Sequence, residues 1–132
     1  MENEQINEFR PLILVAEDDD SNFQLIKAII GKKCDIMWAK NGEEIVKLYE
    51  TYGNEAKAIL MDIKMPIMNG LDATKIIRGE NKNIPIIMQT AYAFSSDREN
   101  AMNAGASEVL VKPITLGVLR DALSRYFPEL KW

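Results

Sequence analysis

The sequence predicts an α/β fold, a five-stranded parallel sheet wound on both faces as (βα)5. Two observations carry this. Short uninterrupted apolar runs recur along the chain without the polar–apolar alternation of a half-exposed sheet, so each reads as a strand buried on both faces. Between them lie stretches whose apolar residues recur every three or four positions, opened by capping residues and closed by glycine, which read as helices. Strict alternation of the two dictates parallel strands joined by right-handed crossovers, with helices on both faces.

Residues 1–10 are polar apart from Ile6, Phe9 and the initial Met1, and read as a leader or linker remnant. The domain proper is expected over 11–127, with 128–132 as a tail. Leu12-Ile13-Leu14-Val15-Ala16 is the first strand and runs straight into Glu17-Asp18-Asp19-Asp20. Ser21 with Gln24 forms a capping-box pattern. It opens a helix through Phe23, Ile26, Ile29 and Ile30, stopped by Gly31. Ile36-Met37-Trp38-Ala39 is weaker in character and predicts an edge strand. Asn41-Gly42-Glu43-Glu44 starts the next helix, with acids where the helix dipole favours them and with Ile45, Leu48, Tyr49 and Tyr52 at helical spacing.

The apolar run Ala58 to Met61 predicts the central strand, ended by Asp62 and, soon after, by Pro66, which lacks a ladder donor. Asn69-Gly70 is an N-cap signal for a helix over about 70–78, with Leu71, Thr74 and Ile77 on one side and Gly79 as its end. Ile84 to Gln89 is the fourth strand, with Pro85 tolerated near its start and Thr90-Ala91 closing it. Ser96-Asp97-Arg98-Glu99 is a second capping box, its helix ending at Gly105. Val109-Leu110-Val111 is the fifth strand, ending at Lys112-Pro113. A last helix over about 115–127 carries Leu116, Leu119, Leu123 and Tyr126.

Composition excludes several function classes. The chain of 132 residues is 47% apolar and 27% charged, as expected of one ordinary globular domain. A formal net charge of −4 gives no overall attraction to nucleic acid or anionic lipid. No apolar run is long enough to span a bilayer, and the start does not read as a signal peptide. Cys34 is the single cysteine, so no intrachain disulfide forms and a cytoplasmic setting is expected. The absence of histidine excludes histidine catalysis and histidine metal sites.

The chemistry is expected at one sheet edge. In an open α/β sheet, ligands bind outside the carboxyl ends of the strands. Those ends bring together Glu17, Asp18 and Asp19 from the first strand, Asp62 from the third, Thr90 from the fourth and Lys112 from the fifth. Singly, each has a plain structural explanation: a solvated turn, an N-cap, a strand end, a surface lysine. Asp19 and Asp20 keep that explanation. The coincidence of the others at one edge outweighs it. Several carboxylates in one crevice repel unless a cation intervenes, and hard oxygen ligands suit Mg²⁺. An aspartate facing a lysine, a hydroxyl and bound Mg²⁺ is suited to accept a phosphoryl group. Asp62 is then the nucleophile and Asp18 a metal ligand. Lys112 supplies a point charge for the phosphoryl oxygens, and Thr90 a hydroxyl donor.

Four stretches closely resemble the receiver domain of two-component response regulators. They are Ile13-Leu14-Val15-Ala16-Glu17-Asp18, Met61-Asp62-Ile63-Lys64-Met65-Pro66 with Asn69-Gly70, Thr90-Ala91, and Val111-Lys112-Pro113 preceded by Ala104-Gly105-Ala106. The similarity runs from about 11 to 127. It implies the flavodoxin-like strand order 2-1-3-4-5 and phosphoryl transfer to Asp62 from a phosphohistidine on a histidine kinase or histidine phosphotransfer protein. It also implies Mg²⁺ held by Asp18, Asp62 and the backbone carbonyl of Lys64, with Glu17 acting through water. Thr90 and Lys112 would contact the phosphoryl group, and the Lys112–Pro113 bond would be cis. A dimer formed on phosphorylation and switching of the face made by the fourth helix, fifth strand and fifth helix are further expectations.

The sequence departs from the family pattern in two places. Glu17 stands where aspartate is commoner, a form similar to receivers of hybrid sensor kinases. Val109 stands where many members carry an aromatic switch residue. Lys64 and Tyr92 occupy positions that in the family influence water access to the phosphoryl group, and bulky Tyr92 implies slow phosphate loss. A dehalogenase-type phosphatase would need an acid where Lys64 stands. An FMN binder would need a neutral phosphate loop where Glu17-Asp18-Asp19 stands. A binding-only, receiver-like module is the alternative that keeps the fold without the chemistry. The polar leader and the abrupt end at Lys131-Trp132 favour an excised domain, such as part of a hybrid kinase, over a stand-alone protein.

Overall fold

A computed structural model describes residues 9–92 and 96–132. The elements are β1 (Leu12–Ala16), α1 (Asp20–Ile30), β2 (Asp35–Ala39), α2 (Gly42–Tyr52), β3 (Ala56–Asp62), α3 (Gly70–Glu80), β4 (Ile86–Thr90), α4 (Ser96–Ala104), β5 (Glu108–Val111) and α5 (Leu116–Tyr126). All strand pairs are parallel, in the order β2-β1-β3-β4-β5. β2 lies at an edge, as its weaker pattern predicts.

The strands are apolar throughout because both faces are covered. Ile13, Val15, Ala58, Leu60, Ile87 and Leu110 pack with Phe23, Ile26 and Ile30 of α1 and Leu119 and Leu123 of α5. Leu14, Ile59, Met61, Ile86, Met88 and Val109 pack on the other side with Ile45, Tyr49, Ala73, Ile77 and Ala101. Burial of each such Ile or Leu side chain contributes about 1.5–3 kcal/mol.

The caps correct the sequence reading in places. α1 is capped by Asp19, whose side chain accepts from the Ser21 N–H at 3.1 Å, and not by Ser21. The aspartate two residues earlier accepts from a free N–H group, so Ser21 becomes helical. α3 passes through Gly79 to Glu80 and ends at Asn81. A Cβ at Gly79 would meet nothing within 4 Å, so no contact there stops the helix. Ser96 is the first helical residue of α4, and the position before it lies outside the described residues. Asn69 and Thr115 cap α3 and α5 by accepting from the N–H groups of Asp72 and Val118. Gly105 has φ +115, the left-handed backbone that ends α4.

Both ends of the described chain pack on the α1/α5 side. Phe9 lies 6.0 Å from Phe127, ring centre to ring centre. Arg10 donates to Asp35 Oδ1 at 2.7 Å and to the Lys32 carbonyl at 2.7 Å. Leu130 is buried in the core, and the Trp132 indole donates to Ser124 Oγ at 3.0 Å. The reading of residues 1–8 as leader lies outside the described residues.

Candidate functional site

The parallel strands all end at one edge, and the chain places its acids there. Asp62 is the last residue of β3 and is buried. Its Oδ1 accepts from the backbone N–H of Lys64 at 3.4 Å, a long contact. Its Oδ2 accepts from Lys112 Nζ at 2.7 Å. Lys112 follows β5 directly, and its peptide bond to Pro113 is cis. Thr90 ends β4, buried, with its Oγ1 accepting from the Tyr92 N–H at 3.2 Å. That bond uses an acceptor site and leaves the hydroxyl proton to donate.

Glu17 follows β1 and is 0% exposed. Its Oε2 accepts from the Asp19 N–H at 3.2 Å, whereas Oε1 has no hydrogen-bond partner. Lys112 Nζ lies 3.6 Å from Oε1, an ion-pair distance. One carboxylate oxygen from each of Glu17, exposed Asp18 and Asp62 lies within 4.8 Å of the others. Together with Lys64, Thr90 and Lys112 these acids line a cleft of about 200 Å³. Every side chain expected from the sequence is therefore at the same cleft.

The sequence profile of the response regulator receiver domain matches residues 13–124. The chain belongs to that family. It is 38% identical over 120 residues to hybrid signal transduction histidine kinase I of Dictyostelium discoideum, covering 85% of this chain but 7% of that protein's length. The receiver domain of sensor histidine kinase PA1611 from Pseudomonas aeruginosa, solved with a magnesium ion coordinated in its active-site cleft, superposes with a TM-score of 0.83 at 33% identity. That match covers 91% of this chain and 99% of the other. The receiver domain of Ssk1 from Saccharomyces cerevisiae, crystallised with the histidine phosphotransfer protein Ypd1, gives a TM-score of 0.81 at 25% identity over 89% of this chain and 88% of the other.

The receiver's cleft has an electrostatic problem that its own residues leave half solved. Burial first, and the nearby Asp62 carboxylate second, push the Glu17 carboxyl up to about 7. For Lys112, burial alone would lower the ammonium. Its bond to Asp62 and the charges of Asp62 and Glu17 outweigh that and hold it above the usual lysine range. One ammonium thus faces three carboxylates, one of them with an orphaned buried oxygen. Hard, anionic oxygens converging without enough positive charge fit a divalent cation of the Mg²⁺ type.

The structure also shows contacts that the sequence reading did not draw. A Cβ at Gly70 would sit 2.1 Å from the Asp62 carbonyl oxygen, so only glycine lets α3 start against the end of β3. Gln89 is buried beside Thr90 and lines the cleft. Lys64 Nζ lies 5.1 Å from the centre of the exposed Tyr92 ring, a cation–π pair. These depend on tertiary approach, and no local pattern encodes them. Among the described residues, no helix is long and apolar enough to cross a membrane.

Proposed function

We propose that this receiver domain accepts a phosphoryl group on Asp62 from a phosphohistidine of a partner histidine kinase or histidine phosphotransfer protein, in a Mg²⁺-dependent reaction. The observation that carries the reading is the pairing of buried Asp62 with Lys112 at 2.7 Å in a cleft that also holds Glu17, Asp18 and Thr90. In the transfer, the phosphorus–nitrogen bond of the partner's phosphoimidazole breaks and the imidazole keeps its electron pair. A new bond forms between phosphorus and an Asp62 carboxylate oxygen. Lys112 neutralises charge on the phosphoryl oxygens, and Thr90 donates its hydroxyl proton to one of them. Asp18 and Asp62, with the Lys64 carbonyl, would hold Mg²⁺, and Glu17 would act on it through water. The ion would supply the positive charge that lets an anionic phosphoryl group approach the carboxylates.

The Pseudomonas receiver with magnesium and the yeast receiver crystallised with a phosphotransfer protein support the cation and the partner. The hybrid-kinase relatives support a place within, or downstream of, such a kinase; a cytoplasmic setting is part of the same reading. Met102 of α4 and Leu116 and Val118 of α5 are exposed apolar residues on the face expected to switch and to pair on phosphorylation. Val109, which stands where many family members carry an aromatic switch residue, is buried in the core.

The test is chemical. An aspartyl phosphate is reduced by borohydride to homoserine. After treatment with a small-molecule phosphodonor and Mg²⁺, peptide mapping is expected to find homoserine at position 62. Homoserine at position 18, or at none, contradicts the assignment.

A further inference from the structure

We infer that Trp38 is a positioning residue for the acidic cleft, completing with its side chain a hydrogen-bond ladder that the backbone of β2 abandons. The inference rests on the metal-site reading above. β1 and β2 pair in register up to Ala16 and Ala39, and the Glu17 N–H still donates to the Ala39 carbonyl at 2.9 Å. In a continuing parallel ladder, the Glu17 carbonyl would accept from the backbone N–H two residues beyond Ala39. There the chain has already turned into α2. The Lys40 N–H donates to Glu44 Oε1 at 2.8 Å, and Asn41 is the N-cap. The indole Nε1–H of Trp38 takes the vacant place, donating to the Glu17 carbonyl at 2.8 Å.

The indole is itself held by two further contacts. It stacks on Phe23 of α1 with ring centres 3.9 Å apart and planes 3° from parallel. Lys40 Nζ lies 4.7 Å over it and 3.4 Å from Asp20 Oδ1. One side chain therefore ties the end of β1, the first turn of α1 and the β2–α2 turn together. What it ties down is the main chain that presents Glu17 and Asp18. Those carboxylates repel each other and Asp62, so the turn carrying them has an electrostatic reason to open. A hydrogen bond to the carbonyl between them opposes that opening.

Mg²⁺ alone is the probe. In a ¹⁵N-labelled protein, the Trp38 indole N–H resonance is expected to move on Mg²⁺ titration while that of Trp132, bonded to Ser124, stays. Trp38→Phe keeps a ring on Phe23 and removes the donor. It is expected to weaken Mg²⁺ binding by calorimetry about three- to tenfold, the loss of one net hydrogen bond. Trp132→Phe is expected to leave it unchanged. A role confined to stability would lower the melting temperature of Trp38→Phe and leave its Mg²⁺ affinity alone. That outcome, or an unmoved Trp38 resonance in a wild type that binds Mg²⁺, overturns the positioning role and leaves the metal site standing. A wild type that binds no Mg²⁺ overturns the metal-site reading and this inference with it.

Discussion

Gly70 lies directly against Asp62: the bare Cα of the first residue of α3 leaves room for the Asp62 carbonyl, which a Cβ would approach to 2.1 Å. The Gly70 N–H donates to the Ile63 carbonyl at 2.8 Å, so the helix start and the strand end are locked together. Gly70→Ala must push the backbone of the proposed phosphoacceptor. The expected cost is about 1–3 kcal/mol of stability, as for overpacking generally. A fall of at least about tenfold in the phosphorylation rate is also expected, because displacement of a reacting group by a fraction of an ångström to an ångström is amplified in rate. Urea unfolding and a phosphodonor time course measure the two. An unchanged rate would separate Gly70 from the chemistry.

Glu17 makes the stability of the domain depend on pH in a defined direction. Its carboxyl is raised from 4.5 to about 7 in the fold. The stability it contributes is therefore complete below pH 4.5 and is lost as the pH rises through about 7. A cation bound to the same acids competes with the proton. The expected result is that Mg²⁺ raises the melting temperature more at about pH 8 than at about pH 5. An equal rise at both values would mean that Glu17 does not share its charge with the metal.

Lys64, which lines the cleft, and exposed Tyr92 lie 5.1 Å apart by ammonium and ring centre. Their positions in the family imply that they restrict the path of water to a phosphoryl group on Asp62. A slow loss of phosphate is expected in the wild type, and Tyr92→Ala is expected to shorten the half-life several-fold. Decay of the phosphorylated mass after donor removal reads this. A half-life of seconds that Tyr92→Ala leaves unaltered would exclude the shield.

The C-terminal segment belongs to the packed domain. Leu130 is 6% exposed, and Trp132 lies against Arg120, whose guanidinium is 5.0 Å from the indole ring centre. Arg120 Nη2 in turn donates to the Ile29 carbonyl of α1 at 3.2 Å. Removing residues 128–132 is expected to destabilise the domain by about 2–3 kcal/mol, the burial of one leucine and part of a tryptophan. Chemical denaturation of the truncated chain tests this. Unchanged stability would return the segment to the role of a free tail.

The fold was legible because its strands are buried on both faces. Ile86-Ile87-Met88 or Leu12 to Ala16 could hardly be anything but interior strands once helical periods flank them. The site was legible for a related reason, since a parallel sheet brings every strand's carboxyl end to one edge and Glu17, Asp18, Asp62, Thr90 and Lys112 all stand at such ends. What escaped depends on contacts between distant segments. Ser21 has the spacing of a capping box, but it is Asp19, already read as a turn or cap residue, that accepts from a first-turn helix amide. Gly79 looks like a stop, yet α3 runs on to Glu80, whereas Gly105 with its left-handed backbone does end α4. The orphaned Glu17 oxygen, the Trp38 indole bond and the packing of Phe9 and Leu130 carry no periodic signal at all.

The central claim is that Asp62 is the phosphoacceptor and that its reaction needs a divalent cation. Intact-protein mass after exposure to a small-molecule phosphodonor tests it most directly, with and without Mg²⁺, on wild type and Asp62→Asn. A single phosphate is expected on the wild type with Mg²⁺, none without it, and none on Asp62→Asn under either condition. A phosphate that persists in folded Asp62→Asn, or that forms equally well after Mg²⁺ is chelated, would contradict it.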